Sequence, residues 1–430
     1  SSDVCSSDLE YMSKVVILLG SPANSTLFRP LSLDIPRPLF PVAGKSIIYH
    51  HIRACAAIED LQEIILIGGY DESQFRSFMN SASEEFNLPL SFCSELGLGD
   101  RNIGLGSAGC LEHFRDAITL GAPERIFVMH CDIACKLPLH AMMKQHAASN
   151  VVATIVGKKV AEEEVPFYGM LITQEGSEEI VHFTEHPEVV LSNTINCGIY
   201  LFSPSIFEYI SKARLAQAKK PTAVYEPSVT GENLALSLEA DVFSTLARSH
   251  NLHVHHYDMF WSQIKTAGRA VSCAAFYMTE YAKSHPGMLE YAGGKTTPGI
   301  AQPELVGYNV IHPDAVIHPS AKIGPNVCIQ ASVRIGAGAR IANSIVLEDC
   351  EIKEHACILN SIIGWNSVIC QWARVAGRKD YSLASERSTK EINICVLGCD
   401  VRIEAEICVR QCIVLPHKSI SGNVDNQIIL

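Results

Sequence analysis

From Ile311 onward an aliphatic residue returns at every sixth position: Ile311, Ile317, Ile323, Ile329, Ile335, Ile341 and Leu347. Ala315, Ala321, Val327, Val333, Ala339 and Ile345, all small or apolar, stand two places before each of the last six. A period of six matches neither the 3.6 residues of a helical turn nor the simple alternation of a strand. It is the signature of a parallel β-helix, in which each coil buries its inward residues on the next. The phase slips near Glu351, resumes through Ile358, Ile363 and Ile369, and breaks at Gly377; coils return at 394–398 and 401–403. Residues 378–391 are polar, with charges of both signs, and read as an excursion from the coil. A β-helix has stackable surface and no catalytic pocket of its own. Its expected work is therefore assembly, with copies of itself or with another chain, and a stabilising cap on the preceding domain is the plain alternative.

With 430 residues the chain has room for a second core. Residues 12–247 alternate strand and helix. The run Val15-Val-Ile-Leu-Leu ends in Gly20 and then small polar residues, which reads as a buried strand emptying into a loop whose backbone N–H groups can cradle phosphate. A helix follows over 45–57. Strands are expected at 63–68, 89–93, 125–130 and 151–156, with a polar helix over 72–84. Strands separated by helices imply a mostly parallel α/β sheet whose ligand crevice lies beyond the carboxyl ends of the strands. Residues 267–291 read as a helical connector and 292–299 as a turn-rich linker, which sets domains at 12–291 and 292–430. Residues 1–11 precede Met12 without an apolar core and are set aside as a foreign or disordered leader.

A formal charge of -12 and a pI near 5.8 argue against nucleic acid or an anionic membrane as partner. No apolar run approaches the roughly 18 residues of a membrane span. Sixteen cysteines without a secretory leader or CxxC pairs point to reduced thiols and a cytoplasmic location. The pairs Cys131/Cys135, Cys395/Cys399 and Cys408/Cys412 read as buried small apolar residues, since zinc sites group four ligands. His250, His253, His255 and His256 lie on or beside a strand at 252–257 without an accompanying carboxylate or Cys pattern, and read as structural.

The loop after the first strand resembles the signature of the sugar nucleotidyltransferases, Gly-Gly-x-Gly-Thr-Arg followed by Pro-Lys-Pro-Leu: Gly20, Thr26, Arg29, Pro30, Pro36, Pro38 and Leu39 fit it. The segments Phe40-Pro-Val-Ala-Gly-Lys45, Asn196-Cys-Gly-Ile-Tyr200, Trp261-Ser-Gln-Ile-Lys265 and Asn426-Gln-Ile-Ile-Leu430 extend the resemblance over both domains. It is strongest to the alpha-type, regulatory branch of the mannose-1-phosphate guanylyltransferases (GDP-mannose pyrophosphorylases). The resemblance implies a Rossmann-like nucleotidyltransferase domain followed by a left-handed parallel β-helix of hexapeptide repeats. It also implies a pocket for GDP-mannose. Gly20, Thr26, Arg29 and Arg37 would serve the phosphates, and Glu95 would accept the N–H donors of the guanine edge. The loop Leu105-Gly106-Ser107-Ala108-Gly109 would wrap the base, lengthened here by residues 97–103. Tyr168, Gly169, Glu185 and Asn196 would line the sugar side, Gln263 and Lys265 would hold the diphosphate sugar, and Asp132 would be the position of a metal ligand.

The departures fall on the phosphate loop and on charged positions. Ser21 and Ser25 replace glycines, Leu27 stands at the catalytic Arg, Arg37 and His186 replace lysines, and Gln263 replaces a magnesium-binding Asp. Nucleotidyl transfer is phosphoryl chemistry, in which losing one cationic group typically costs on the order of 10³ to 10⁵ in rate. The resemblance therefore implies a catalytically weak or inactive regulatory subunit that binds GDP-mannose and controls an active beta-type subunit through the β-helix, with 378–391 as the candidate contact. Two alternatives stay open. One is an active mannose-1-phosphate guanylyltransferase, with Arg29 or Arg37 covering for the missing Arg and Asp132 alone holding Mg²⁺; only then is Mg²⁺ expected as cofactor. The other is a subunit of the translation initiation guanine-exchange complex, against which the Trp261–Lys265 and C-terminal matches count.

Overall fold

The computed structural model describes residues 12–98, 104–185, 187–218, 235–289, 303–378 and 393–430. The leader 1–11, the linker 292–299, most of the insertion 97–103, His186 and nearly all of 378–391 lie outside the described residues. The chain divides into two compact units. One comprises Ser1–Asn24 with Ile48–Trp261, the other Ser25–Ile47 with Ser262–Leu430.

The first unit is built on a nine-stranded sheet. Its strands are β1 (Ser13–Gly20), β2 (Leu61–Gly68), β3 (Leu90–Ser94), β4 (Arg125–His130), β5 (Ala153–Lys159), β6 (Met170–Thr173), β7 (Ile180–Thr184), β8 (Thr194–Phe202) and β9 (Leu252–His256). The order is β7-β6-β8-β4-β1-β2-β3, with β5 also on β8 and β9 on β5. β1 sits centrally and is buried from Ser13 to Leu19, which is why its sequence is a continuous apolar run and not an alternation.

β1 to β4 pair in parallel as the helical crossovers between them require. The other half differs from a mostly parallel sheet: β8 runs antiparallel to β4, β5 and β6, and β6 is antiparallel to β7. The β6–β7 connection is too short to carry a crossover helix, so β7 reverses, and β8 keeps the direction of β7 on the other side of β6. The register sets Gly20 beside Gly68 and Leu18 beside His130, and thus gathers the ends of β1, β2 and β4 at one edge. In the core, the Tyr200 and Phe202 rings stack at 5.7 Å and Phe243 meets Tyr200 edge-on at 5.1 Å.

The second unit contains three parallel sheets of two- and three-residue strands, the architecture a left-handed β-helix of hexapeptides requires. The aliphatic sixths stack in columns. Ile317, Ile335, Ile352, Ile369, Ile403 and Ile420 form one, and Ile323, Ile341, Ile358, Val375 and Val409 another. In the third, Ile329 pairs with Val346 and Val346 with Ile363. The strict period expects Leu347 there. The turn through Asn343, in the left-handed region at φ 46°, is one residue short and moves the register back by one. That is the slip noticed further along the sequence. Residues 25–47 pack within this unit: Phe28 meets Phe40 at 4.9 Å and Phe40 meets Trp365 at 6.3 Å. Gly44 is needed where it stands, because a Cβ would lie 2.5 Å from Val310 Cγ1. The connector helix runs Ala267–Ser284. Among the described residues no helix is long and apolar enough to cross a membrane.

Candidate functional site

Within the first unit, Gly20, Ser21, Glu95, Gly106, Ser107 and His130 line a cleft of about 140 Å³ beyond the ends of β1 and β4. Gly20 ends β1 at φ 73°, a left-handed conformation that glycine adopts without strain. Glu95 follows β3, and its backbone N–H donates to Gly68 O at 2.9 Å. Burial pushes the Glu95 carboxyl above its ordinary range, while a hydrogen bond from the Leu105 amide pulls the other way. A carboxylate so placed can accept paired N–H donors from a planar base.

Gly106, at φ 78°, has a reason internal to the fold. A Cβ there would lie 2.4 Å from Leu236 O, the carbonyl that accepts from the Ala108 and Gly109 amides at 2.9 and 3.0 Å. Those amides are thus committed to the protein, and Glu95 is the charged side chain on this wall.

A residue that sequence reading did not single out organises the site. Glu239 sits in a π-helical turn, Leu238–Val242, capped by Ser237. Its carboxylate accepts from Ser107 Oγ and Ser237 Oγ, each at 2.7 Å, and from Tyr200 Oη at 2.9 Å, and lies 3.2 Å from His130 Nε2. Its burial raises its pKa, but the His130 contact and the serine hydroxyls outweigh that and hold the carboxyl at about 2. The signal in the sequence was Ser237 two places before an acid, a helix-start pattern; that the acid points inward was not legible.

Of the residues expected on a sugar side, Tyr168, Gly169 and Asn196 lie together with Trp261 and Phe183. Asn196 N donates to Gly169 O at 2.7 Å, and Gly169 is closed against Phe183, whose Cζ would lie 2.8 Å from a Cβ. The Tyr168 ring meets Trp261 edge-on at 5.1 Å, and Trp261 Nε1 donates to Cys197 O at 3.0 Å. The Asn196 amide is oriented at both ends: Nδ2 donates to Tyr200 Oη and Oδ1 accepts from Gly198 N, both at 2.9 Å. One Nδ2 hydrogen and one Oδ1 lone pair remain for a ligand. Asn196, Tyr200, Glu239 and His130 thus form one chain of contacts from the sugar-side cluster to the cleft.

Asp132, two residues past β4, is buried, and Glu185, just beyond β7, is exposed. Thr26, Arg29, Arg37, Gln263 and Lys265 belong to the second unit. Thr26 and Arg29 are exposed and Leu27 is 66% exposed, whereas Arg37 is buried in the short turn Arg37–Leu39. Gln263 is half-buried, and its Oε1 has no hydrogen-bond partner among the described residues. Neither position fits magnesium by itself: Asp132 is a single carboxylate, and Gln263, in the second unit, is a neutral amide. Mg²⁺ is held through carboxylates and keeps near-octahedral oxygen geometry.

The nucleotidyl transferase family profile matches residues 14–242, and that of the GMPPB C-terminal domain matches residues 305–429. The chain is 42% identical over 423 residues to the mannose-1-phosphate guanylyltransferase regulatory subunit alpha of Dictyostelium discoideum, covering 97% of this chain and 98% of that one. It is 42% identical over 432 residues to the subunit of that name from Homo sapiens, and 39% identical over 436 residues to regulatory subunit alpha-B of Danio rerio. Each of these two matches covers 97% of this chain and all of the relative.

Proposed function

Given that this chain belongs to the nucleotidyl transferase family, among the mannose-1-phosphate guanylyltransferase regulatory subunits alpha, we propose that it binds GDP-mannose and regulates a beta-type guanylyltransferase subunit, with little or no catalysis of its own. The observation that carries this reading is the loss of charge where the resemblance places chemistry: an exposed Leu27 at the catalytic Arg and a neutral Gln263 at the metal-binding Asp. Transfer of a nucleotidyl group needs cationic neutralisation of the phosphates. Binding needs less.

In this reading Glu95 accepts the guanine N–H donors, and Tyr168, Gly169, Glu185 and Asn196 face the mannose. Gly20, Thr26, Arg29, Arg37, Gln263 and Lys265 hold the diphosphate, while Gly106 shapes the base loop. The β-helix provides homo- and hetero-oligomeric contacts, residues 292–299 separate the two domains, and the chain works in the cytosol.

Calorimetric titration of GDP-mannose into the purified chain, with and without Mg²⁺, tests the reading alongside pyrophosphate release from GTP and mannose 1-phosphate. Micromolar binding that ignores Mg²⁺, together with no release, is expected. The chain should then alter the GDP-mannose sensitivity of an active beta-type enzyme mixed with it. Mg²⁺-dependent release by the isolated chain would overturn the reading and make Asp132 the metal ligand of a working enzyme.

A further inference from the structure

A corner of the β-helix carries a set of metal-ligating side chains that the proposed function does not use. Cys399, Asp400 and His417 bring a thiol sulfur, a carboxylate oxygen and a ring nitrogen within 4.8 Å of one another, the one such group of three among the described residues. A fourth potential donor, Asp34, lies beside Cys399 and outside that group. Cys399 Sγ donates to Asp34 Oδ1 at 3.4 Å, and His417 Nδ1 lies 3.1 Å from Asp400 Oδ2. All four residues belong to the second unit.

Zn–N near 2.0–2.1 Å, Zn–O near 2.0–2.2 Å and Zn–S near 2.3 Å put the edges of a tetrahedron at about 3.3–3.6 Å. The 3.1 and 3.4 Å pairs lie near that edge, and the 4.8 Å limit of the group is within what side-chain rotation about an ion closes. The carriers are also held in place. His417 N donates to Cys399 O at 2.9 Å and Asp400 N donates to Trp365 O at 2.8 Å, so the donors sit on stacked coils and not on a loose loop. Cys399 is buried, whereas Asp400 and His417 face solvent and leave an entry path. We propose that Cys399, Asp400, His417 and Asp34 bind a borderline-soft divalent transition-metal ion of the Zn²⁺ class.

The donor chemistry chooses the class. A thiolate and an imidazole disfavour Mg²⁺ and Ca²⁺, which want oxygen, and suit Zn²⁺. On binding, the Cys399 S–H bond breaks, a sulfur–metal bond forms and the proton leaves to solvent. Asp34, which had accepted that hydrogen, turns to the metal, and no oxidant or reductant is needed. The Cys395/Cys399 spacing pointed away from this site, because the partners of Cys399 are its own neighbour, a residue one coil further on and a residue near the N-terminus. One consequence is a pin between the 25–47 segment and the coil, three residues before Arg37.

The test is a Co²⁺ titration of the reduced, chelator-stripped, tag-free full chain. It reads the thiolate-to-cobalt charge-transfer band in the near ultraviolet and the visible bands of tetrahedral Co²⁺, followed by displacement with Zn²⁺. Saturation at one equivalent, displacement by Zn²⁺ and not by millimolar Mg²⁺, and loss of the charge-transfer band in Cys399→Ser are expected. His417→Ala and Asp400→Asn should each weaken binding at least about tenfold. These two side chains are exposed, so the variants fold even where Cys399→Ser does not. A band unchanged in Cys399→Ser, parent-like affinity in both exposed variants, or no tetrahedral spectrum by about 1 mM Co²⁺ would overturn the site and leave a buried thiol beside an ordinary ion pair.

Discussion

Tyr200 Oη donates to Glu239 Oε1 at 2.9 Å, and this bond gives the inner wall of the candidate site its polarity. Burial pushes the Tyr200 phenol well above its ordinary pKa, so the hydroxyl keeps its proton, while Glu239 is held ionised with a pKa of about 2. The direction of donation is therefore fixed: Asn196 Nδ2 to Tyr200 Oη, and Tyr200 Oη to Glu239. A carboxylate acceptor at the end of such a chain strengthens the bonds before it. Asn196 can present its remaining donor and acceptor to a ligand in one orientation only.

Replacing Glu239 with Ala removes the acceptor shared by Ser107, Ser237 and Tyr200 and leaves three hydroxyl hydrogens without the carboxylate that takes them. The expected cost is about 2–4 kcal/mol of stability, with about 1–3 kcal/mol for Glu239→Gln, which keeps the shape but not the charge. The pH dependence has a definite sign. The folded carboxyl titrates below its unfolded value, so its stabilisation is present above about pH 4.5 and is lost as pH falls toward 2. Urea unfolding at pH 7 and at pH 3 should show the parent's advantage over Glu239→Gln shrinking at the lower pH; equal stabilities at pH 7 would refute the role given to the network.

Glu95 faces the cleft with a carboxyl whose pKa is raised by burial. If it accepts the guanine edge, Glu95→Ala should weaken GDP-mannose binding by about 30-fold, on the order of 2 kcal/mol for a lost charge-assisted pair. A nucleotide sugar bearing uracil, which lacks that pair of adjacent donors, should bind parent and variant alike. Calorimetry with both ligands separates the cases. Equal losses for the two bases would mean that Glu95 shapes the cleft without reading the base.

The β-helix was legible because its constraint repeats: each Ile in the columns through Ile335 and Ile341 must match one stacked on it, so the period stands out of a single sequence. The slip at Val346 was legible only as a disturbance further along, since dropping one turn residue changes no residue type. β1 was legible from its apolar run, whereas the antiparallel half of the sheet was not, because strand direction depends on the length of the connections around β7. In the site, Gly20, Glu95 and Asn196 could be named from local motifs. Glu239 could not, since its partners Ser107, His130 and Tyr200 come from three distant segments and become neighbours only when the sheet forms. Cys399 was hidden for the same reason, its donors lying on separate coils and on residue 34.

His146 carries a second pH dependence, of opposite origin. It is buried, with Nδ1 2.8 Å from Thr154 Oγ1 and Nε2 3.0 Å from Ser203 Oγ, and burial, aided by Arg125 and His253, lowers its pKa to about 4. The unfolded chain takes up this proton near pH 6.5 and the folded one does not until about pH 4, so stability falls as pH drops through that window. The contribution is roughly 3 kcal/mol between those limits. Thermal or urea unfolding of the parent across pH 7 to 4 should follow this slope, and His146→Gln, which keeps an amide for the two hydroxyls, should flatten it. An unchanged slope in the variant would assign the acid sensitivity to other groups.

The alanines that precede the aliphatic columns are as constrained as the columns themselves. Ala356 is fully buried two residues before Ile358, and its neighbours on adjacent coils are Ala339 and Ala373, also fully buried. Arg340 N donates to Ala356 O and Cys357 N to Ala373 O, each at 2.9 Å, so the backbones at this corner are held close and the space between coils is that of a methyl group. Ala356→Leu would force extra methylenes into a stack that cannot open without breaking those bonds, at a cost of about 1–3 kcal/mol or more. Ile358→Ala empties the adjacent column and should cost about 2–5 kcal/mol. Coils contact only their neighbours, so either lesion should also weaken the coupling between the two ends of the repeat array. Urea unfolding should therefore show a lower midpoint in both variants, with a shallower transition where the array melts in parts. A leucine at 356 tolerated without loss would mean that the corner is open, and that the small residues in the hexapeptide pattern serve the turn and not the packing.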